Sequence, residues 1–306
     1  MKSNTVKKSM KNIAPFAKYA IAAAVIHAGA ANATVISGSS DAYALGADIS
    51  AANELLTVDV IVPSGVAGSA PAPYDLSESL LGVEVDLNSG ISFGNLVGIQ
   101  LAVLADDTVL NAAASSNVDG GAGTRMASAE TEINGLSLEV LNGNVLDISS
   151  STIYSEAMVS GDYGSFNAMG NSYVEDLSLN LFGLGEVDFA SLGLEVDADG
   201  FIAASPNFEV LNVSGIAGLN LILNEQYGEC TDMFCSMGVN ALRLSFNAVD
   251  LSGLGLNLGG LLDGDIIIGH SYAELTAQIN EVPAPATLGI FSLVMLALGL
   301  AKRKAK

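Results

Sequence analysis

The sequence contains no tryptophan, two histidines, two cysteines and only eleven basic residues in 306. The scarcity of lysine and arginine argues against nucleic-acid binding, because phosphate backbones are bound by clusters of cationic side chains. Aromatic residues make up 6% of the chain. This low content argues against a hydrolase cleft, which usually presents aromatic platforms to its substrate.

The charges are distributed very unevenly. Nine of the eleven basic residues lie within the first 33 or the last six positions, and only Arg125 and Arg243 lie between them. All thirty-three acidic residues lie in Thr34–Glu281, which therefore carries a net charge of −31. Such a segment repels phosphate and is suited to holding cations or to solubility at high salt. The 50% hydrophobic content predicts a folded core instead of disorder.

The N-terminus has the three parts of a secretory signal peptide. A basic region extends to Lys18, an apolar region covers 19–28, and Ala31-Asn32-Ala33 forms a small-x-small cleavage site. We therefore predict a signal peptide over 1–33, export by the general secretion machinery, and a mature protein that begins at Thr34. The alternative is an uncleaved anchor helix.

The C-terminus, 282–306, also has three parts. Val282-Pro283-Ala284-Pro285 precedes an apolar run over 286–301, and Lys302-Arg303-Lys304-Ala305-Lys306 ends the chain. The apolar run would form a helix of about 24 Å, which flanking lysines can complete as a membrane span. The basic end is expected on the cytoplasmic side of the inner membrane.

This tail resembles the PEP-CTERM sorting signal, in which a short Pro-x-Pro motif precedes a transmembrane helix and a basic end. The resemblance implies that an exosortase cleaves near the motif. It also implies a Gram-negative, exopolysaccharide-producing host, in which such proteins associate with the envelope or biofilm matrix. Ala284 stands where the usual motif has glutamate. The alternative is an ordinary membrane anchor that is not processed.

Between the two ends, apolar and polar residues alternate with the period of β-strands. Turn-forming Gly, Asn, Asp and Ser residues separate the alternating runs. We therefore predict one acidic all-β domain over 34–281, an antiparallel β-sandwich-like fold of about ten strands, with a β-solenoid as the alternative. Ala112–Ala129 and Ser149–Asn171 are rich in small residues, and they predict long strands with a closely approached face. The alternating runs are Leu56–Val62, Val83–Leu87, Ile99–Val103, Leu136–Val140, Leu177–Leu181, Leu219–Leu223, Leu242–Phe246 and Ile266–Ile268.

Two segments near the end of this domain, Val239–Leu244 and Gly264–His270, carry a second resemblance. Together with the strands rich in alanine and serine, they resemble the choice-of-anchor P family. Members of that family are exported domains that occur with differing C-terminal sorting tails. The resemblance implies a surface domain and implies no particular activity.

Cys230 and Cys235 are the only cysteines. In an oxidising compartment, a pair this close is expected to form a disulfide that holds a hairpin tip. A metal site would need two further soft ligands. His270 is the only histidine after the signal peptide and lies in an apolar run, so we interpret it as a structural residue. No Gly-x-Ser-x-Gly motif accompanies it, and we predict no catalytic residue.

Calcium is the one metal for which the sequence offers ligands. Asp197 and Asp199, and likewise Asp263 and Asp265, stand two apart beside a glycine, as in oxygen-rich calcium loops. The alternative is that they are ordinary turn formers. Phosphate-binding and dinucleotide-binding motifs are absent from the sequence, so no other cofactor is expected.

These patterns together predict a non-enzymatic exported protein of the cell surface or extracellular matrix. Its expected partners are the secretion machinery, an exosortase, the inner membrane before processing, and exopolysaccharide. One alternative is a secreted hydrolase that acts on polysaccharide or lipid. A second alternative is a calcium-dependent adhesion module or a carbohydrate-binding module.

Overall fold

Alternating apolar and polar residues form strands in the structure, a computed structural model that describes residues 33–51, 56–62, 65–81, 109–140, 146–181, 185–212, 218–250 and 261–279. These ranges contain fifteen β-strands and one short 3₁₀ helix, Ala190–Leu192, and they contain no α-helix. The all-β prediction is confirmed. The strands outnumber the ten or so predicted because five of them are only two to five residues long.

Several predictions fall on residues outside these ranges. They include the signal peptide apart from Ala33, the whole sorting tail, and the strands expected at Val83–Leu87 and Ile99–Val103. No helix within the described ranges is both long and apolar enough to cross a membrane. Val35–Gln278 forms one compact unit, and the fold below belongs to it.

The first sheet has seven strands. Their order is β12–β13–β14–β15–β1–β2, and β3 pairs with β1. The strands are β1 (Ala33–Ala51), β2 (Leu56–Val62), β3 (Val66–Ser69), β12 (Phe208–Asn212), β13 (Leu219–Tyr227), β14 (Phe234–Val249) and β15 (Leu262–Ile279). Each pair of strands with a defined register is antiparallel.

The second sheet has eight strands. Their order is β10–β9–β7–β6–β5–β4, with β8 paired to β7 and β11 paired to β8. The strands are β4 (Tyr74–Leu81), β5 (Val109–Ser116), β6 (Arg125–Val140), β7 (Leu146–Gly161), β8 (Asn167–Glu175), β9 (Ser178–Leu181), β10 (Gly185–Glu186) and β11 (Phe201–Ile202). All of these pairings are antiparallel too.

The two sheets pack face to face, as the sandwich prediction requires, and their antiparallel pairing differs from the parallel stacking of a β-solenoid. One part of the core is built from leucine and isoleucine, including Leu138, Ile148 and Leu244. Another part is built mainly from smaller residues, including Ala157 and Ala273. Each stretch rich in small residues forms a hairpin instead of one continuous strand, because Asn117–Thr124 and Asp162–Phe166 interrupt the strands.

In the long strands, the alternation of core-facing and outward-facing residues shifts by one position part-way along the strand. In β15, Ile266 and Ile268 are buried in the core, and after Gly269 the buried positions continue at Ser271 and Ala273. Gly269 has φ of +67°, and Asn224 on β13 has φ of +50°. After the phase change, Ser271 faces the core, where it hydrogen-bonds Ser155 of the opposite sheet. Because neighbouring residues of a strand point to opposite faces, His270 lies on the outer face of the first sheet.

Candidate functional site on the outer face of the first sheet

His270 is the centre of a polar cluster that four adjacent strands form, β13, β14, β15 and β1. Its side chain is buried although it lies on the outer face of the sheet. Nδ1 is 2.6 Å from Asn240 Oδ1, and Nε2 is 3.3 Å from Asp41 Oδ2. The ring stacks on Tyr43, with 4.3 Å between the centroids and 19° between the planes.

Glu225 determines which way the Asn240 amide faces. Asn240 Nδ2 donates to Glu225 Oε2 at 2.5 Å, and an ionised carboxylate can only accept. The amide oxygen therefore faces His270, so Nδ1 of the imidazole is the donor in that contact. The orientation of the histidine ring depends on a side chain that it does not contact.

Arg243 joins the two carboxylates of the cluster. It donates to Glu225 Oε1 at 2.6 Å and to both oxygens of Asp265 at 3.1 and 3.2 Å. Ser245 donates to Asp265 at 2.6 Å. Hydrogen bonds to Asp265 and Glu225 raise the pKa of Arg243 above its ordinary value, against the opposing effect of burial. The guanidinium therefore remains charged, and it neutralises carboxylates that would otherwise repel each other.

Three tyrosines surround this network. Burial raises the pKa of Tyr43 and Tyr227, and nearby carboxylates add to the effect. Burial and the hydrogen bond to Glu274 raise the pKa of Tyr272 to about 12. The three hydroxyls therefore stay protonated at neutral pH, and that of Tyr272 donates to Glu274 Oε2 at 2.9 Å.

The geometry suits a structural brace better than a catalytic centre. Both imidazole nitrogens of His270 contact acceptor atoms, so neither is directed at a serine hydroxyl as in a nucleophilic triad. The interpretation of His270 as a structural histidine agrees with these contacts. The sequence did not reveal its partners, because Asp41 and Asn240 lie far from it along the chain.

The two aspartate pairs that predicted calcium binding, Asp197 with Asp199 and Asp263 with Asp265, have different surroundings. Asp197 Oδ1 accepts hydrogen bonds from the backbone amides of Asp199 and Phe201, as an ordinary turn former does. Asp263 accepts from the Ala248 amide, while Asp265 belongs to the Arg243 network. Gly264 does not lie in a turn, because β15 continues through it. Within the described ranges, no three His, Cys, Asp or Glu residues are grouped to hold a metal ion.

Cys230 and Cys235 form the predicted disulfide. Their Cα atoms are 4.0 Å apart, at the tip of the hairpin between β13 and β14. Backbone hydrogen bonds from Thr231 to Phe234 and from Ser236 to Glu229 close the same tip. The bridge thus holds the hairpin that carries Glu225, Asn240 and Arg243.

Of the residues assigned to export, Ala33 and Thr34 lie at the start of β1. Ala31 and the motif Val282-Pro283-Ala284-Pro285 lie outside the described residues. Comparison with known proteins adds no assignment: the chain matches no family model, and no curated protein matches its sequence. The resemblances to PEP-CTERM and choice-of-anchor P proteins remain predictions.

Proposed function

We propose that the chain is a non-enzymatic exported protein of the cell surface or extracellular matrix, delivered by general secretion and processed by an exosortase. The observation that carries this proposal is the Cys230–Cys235 bridge. Disulfides persist in oxidising compartments outside the cytoplasm and are rare within it. The bridge therefore supports the export that the signal peptide predicts.

The non-enzymatic part of the proposal is supported by the polar cluster around His270. Its histidine is buried, and its two nitrogens lie against Asn240 and Asp41 and not against a nucleophilic side chain. Its carboxylates Glu225 and Asp265 bind Arg243. An antiparallel sandwich braced in this way is suited to presenting a surface outside the cell.

The processing part is tested in the native host by mass spectrometry of the intact protein and by fractionation. We expect the mature protein to begin at Thr34 and to lack the basic end after Leu300. A double variant, Pro283→Ala with Pro285→Ala, should accumulate in the membrane with its tail intact. The chain supplies a matched control, because Pro71-Ala72-Pro73 repeats the motif in an exposed segment of the domain.

The corresponding control variant, Pro71→Ala with Pro73→Ala, should be processed like the wild type. Native wild-type protein that retains Lys302–Lys306 would contradict exosortase processing and leave an ordinary membrane anchor. Protein that still begins at Met1 would contradict the signal peptide. The two outcomes are separate, because the intact mass reports each end of the chain.

A further inference from the structure

The outer face of the second sheet has a groove with a tyrosine at one side. Two depressions of about 330 and 200 Å³ adjoin there, and both are lined by Ala113 and Glu130. Ala113 and Ser128 give the groove a shallow floor, while Tyr154 and Glu132 line its larger part. We call the two depressions together the Tyr154 groove.

The tyrosine that borders the groove is braced from the other side. Its ring stacks on Tyr173 with 5.0 Å between centroids, and Tyr173 stacks on Phe201 at 4.9 Å. Since β6 and β8 flank β7 on opposite sides, the groove lies on the side of Tyr154 away from Tyr173. Burial raises the pKa of the Tyr154 hydroxyl, and the nearby carboxylates of Glu156 and Glu130 add to the effect. It therefore stays a protonated donor.

The strand register places two like charges against each other beside this ring. Glu130 on β6 lies directly opposite Glu156 on β7. Like charges at directly opposed positions of an antiparallel pair destabilise it. The ion pairs of the described residues involve neither of these two carboxylates. The Glu130–Glu156 pair does not contribute to stability. Residues that reduce stability are expected where a surface serves binding.

The groups in the groove are those that recognise a sugar. An aromatic ring packs against the C–H face of a pyranose, and carboxylate, amide and hydroxyl groups pair with its hydroxyls. Asn111, Ser77 and Ser79 supply the amide and the hydroxyls. No lysine or arginine lines the groove, so its charge complements a cation and repels uronic acids.

We propose that the Tyr154 groove binds a linear oligosaccharide that carries protonated amino groups. Two depressions that adjoin at Ala113 and Glu130 suit more than one sugar unit. The amines pair with Glu130 and Glu132 through charge-assisted hydrogen bonds, while the sugar ring packs on Tyr154. The proposal goes beyond export and processing, and it does not depend on either.

Binding is tested by calorimetry with the full-length protein at pH 6 and low salt. The probes are a fully deacetylated glucosamine hexamer, its N-acetylated form, cellohexaose and hexalysine. We expect the glucosamine hexamer to bind at least about tenfold more tightly than its N-acetylated form and cellohexaose, as the loss of one charge-assisted hydrogen bond implies. It should also bind more tightly than hexalysine, which has the amines but no sugar ring to pack on Tyr154. Equal binding of hexalysine would overturn the proposal in favour of simple charge attraction, and equal binding of cellohexaose would remove the role of the amines.

Three variants separate binding from folding. Glu130→Gln removes a binding carboxylate and also relieves the repulsion with Glu156, so affinity should fall about tenfold while the unfolding midpoint does not fall. Glu209→Gln, on β12 of the other sheet, removes the same charge from an exposed position and should leave affinity unchanged. Tyr154→Leu should weaken sugar binding and not hexalysine binding. Absence of binding by the wild type, or equal losses in Glu130→Gln and Glu209→Gln, would overturn the proposal.

Discussion

At the scale of single residues, the two arginines of the acidic domain have different surroundings. Arg243 contacts Glu225, which is 13% exposed, and Asp265, which is 36% exposed. Arg125 contacts Asp119, which is 52% exposed. A carboxylate that is shielded from water depends more strongly on its cation than an exposed one does.

We therefore expect Arg243→Met to lower the free energy of unfolding by about 2 kcal/mol, a value reduced from that of a fully buried pair because the arginine is partly exposed. The variant leaves Glu225 and Asp265 without their shared cation. Urea denaturation followed by circular dichroism measures the change. Arg125→Met is the control and should cost less than about 1 kcal/mol. Equal losses in the two variants would contradict a special role for the Arg243 network.

The sequence indicated the character of His270 and not its surroundings. Its position in an apolar run predicted a structural role, but alternation would place it on the core face with Ile266 and Ile268, and the phase change at Gly269 places it on the outer face instead. The contacts with Asp41 and Asn240 come from strands that are distant in sequence and adjacent in the sheet. Strand order and register decide such contacts, and neither can be read from local alternation.

At the scale of elements, the strands were predictable and their phase changes were not. The alternating runs at Leu219–Leu223 and Leu242–Phe246 correspond to parts of β13 and β14. A residue with positive φ inside a strand exchanges the inward and outward faces, and Asn224 and Gly269 do so on strands that flank β14. A glycine within a strand pattern indicates such an irregularity. It does not indicate whether the residues after it face the core or the solvent.

Gly269→Ala tests this irregularity. At φ of +67°, an added Cβ costs about 1–2 kcal/mol, and it would also lie 3.1 Å from Ala241 Cβ and 3.3 Å from Ile153 Cγ2. Gly164→Ala is the matched control, because Gly164 has φ of +72° and open space around its added Cβ. The thermal midpoint should fall further for Gly269→Ala than for Gly164→Ala. Equal shifts would mean that the backbone conformation alone matters and the core tolerates the methyl group.

At the scale of the whole molecule, charge dominates. A domain with a net charge of −31 repels itself in the compact state, and salt screens this repulsion over a Debye length of about 10 Å at 0.1 M. The short-range ion pairs of Arg243 neutralise only part of the excess. The two sheets also present acidic side chains on opposite outer faces, at Glu225 and Glu130.

We expect the melting temperature to rise with sodium chloride concentration, because screening relieves repulsion that is larger in the folded state. Melting curves in calcium chloride at equal ionic strength test the calcium prediction at Asp197 and Asp199 and at Asp263 and Asp265. Additional stabilisation by calcium would indicate binding to the folded state by mass action. Curves that coincide would leave screening alone, and curves without salt dependence would contradict the repulsion argument.

The sequence by itself determined the properties that depend on local order along the chain. Alternation predicted an all-β domain, spacing predicted the Cys230–Cys235 bridge, and the charge count predicted an acidic surface. Only the tertiary structure decided what lies together on that surface. It brought Asp41 to His270, turned Asp265 from a proposed calcium ligand into a partner of Arg243, and set Glu130 against Glu156 beside Tyr154. Each of these contacts depends on strand order and register across the sheets, which long-range packing selects.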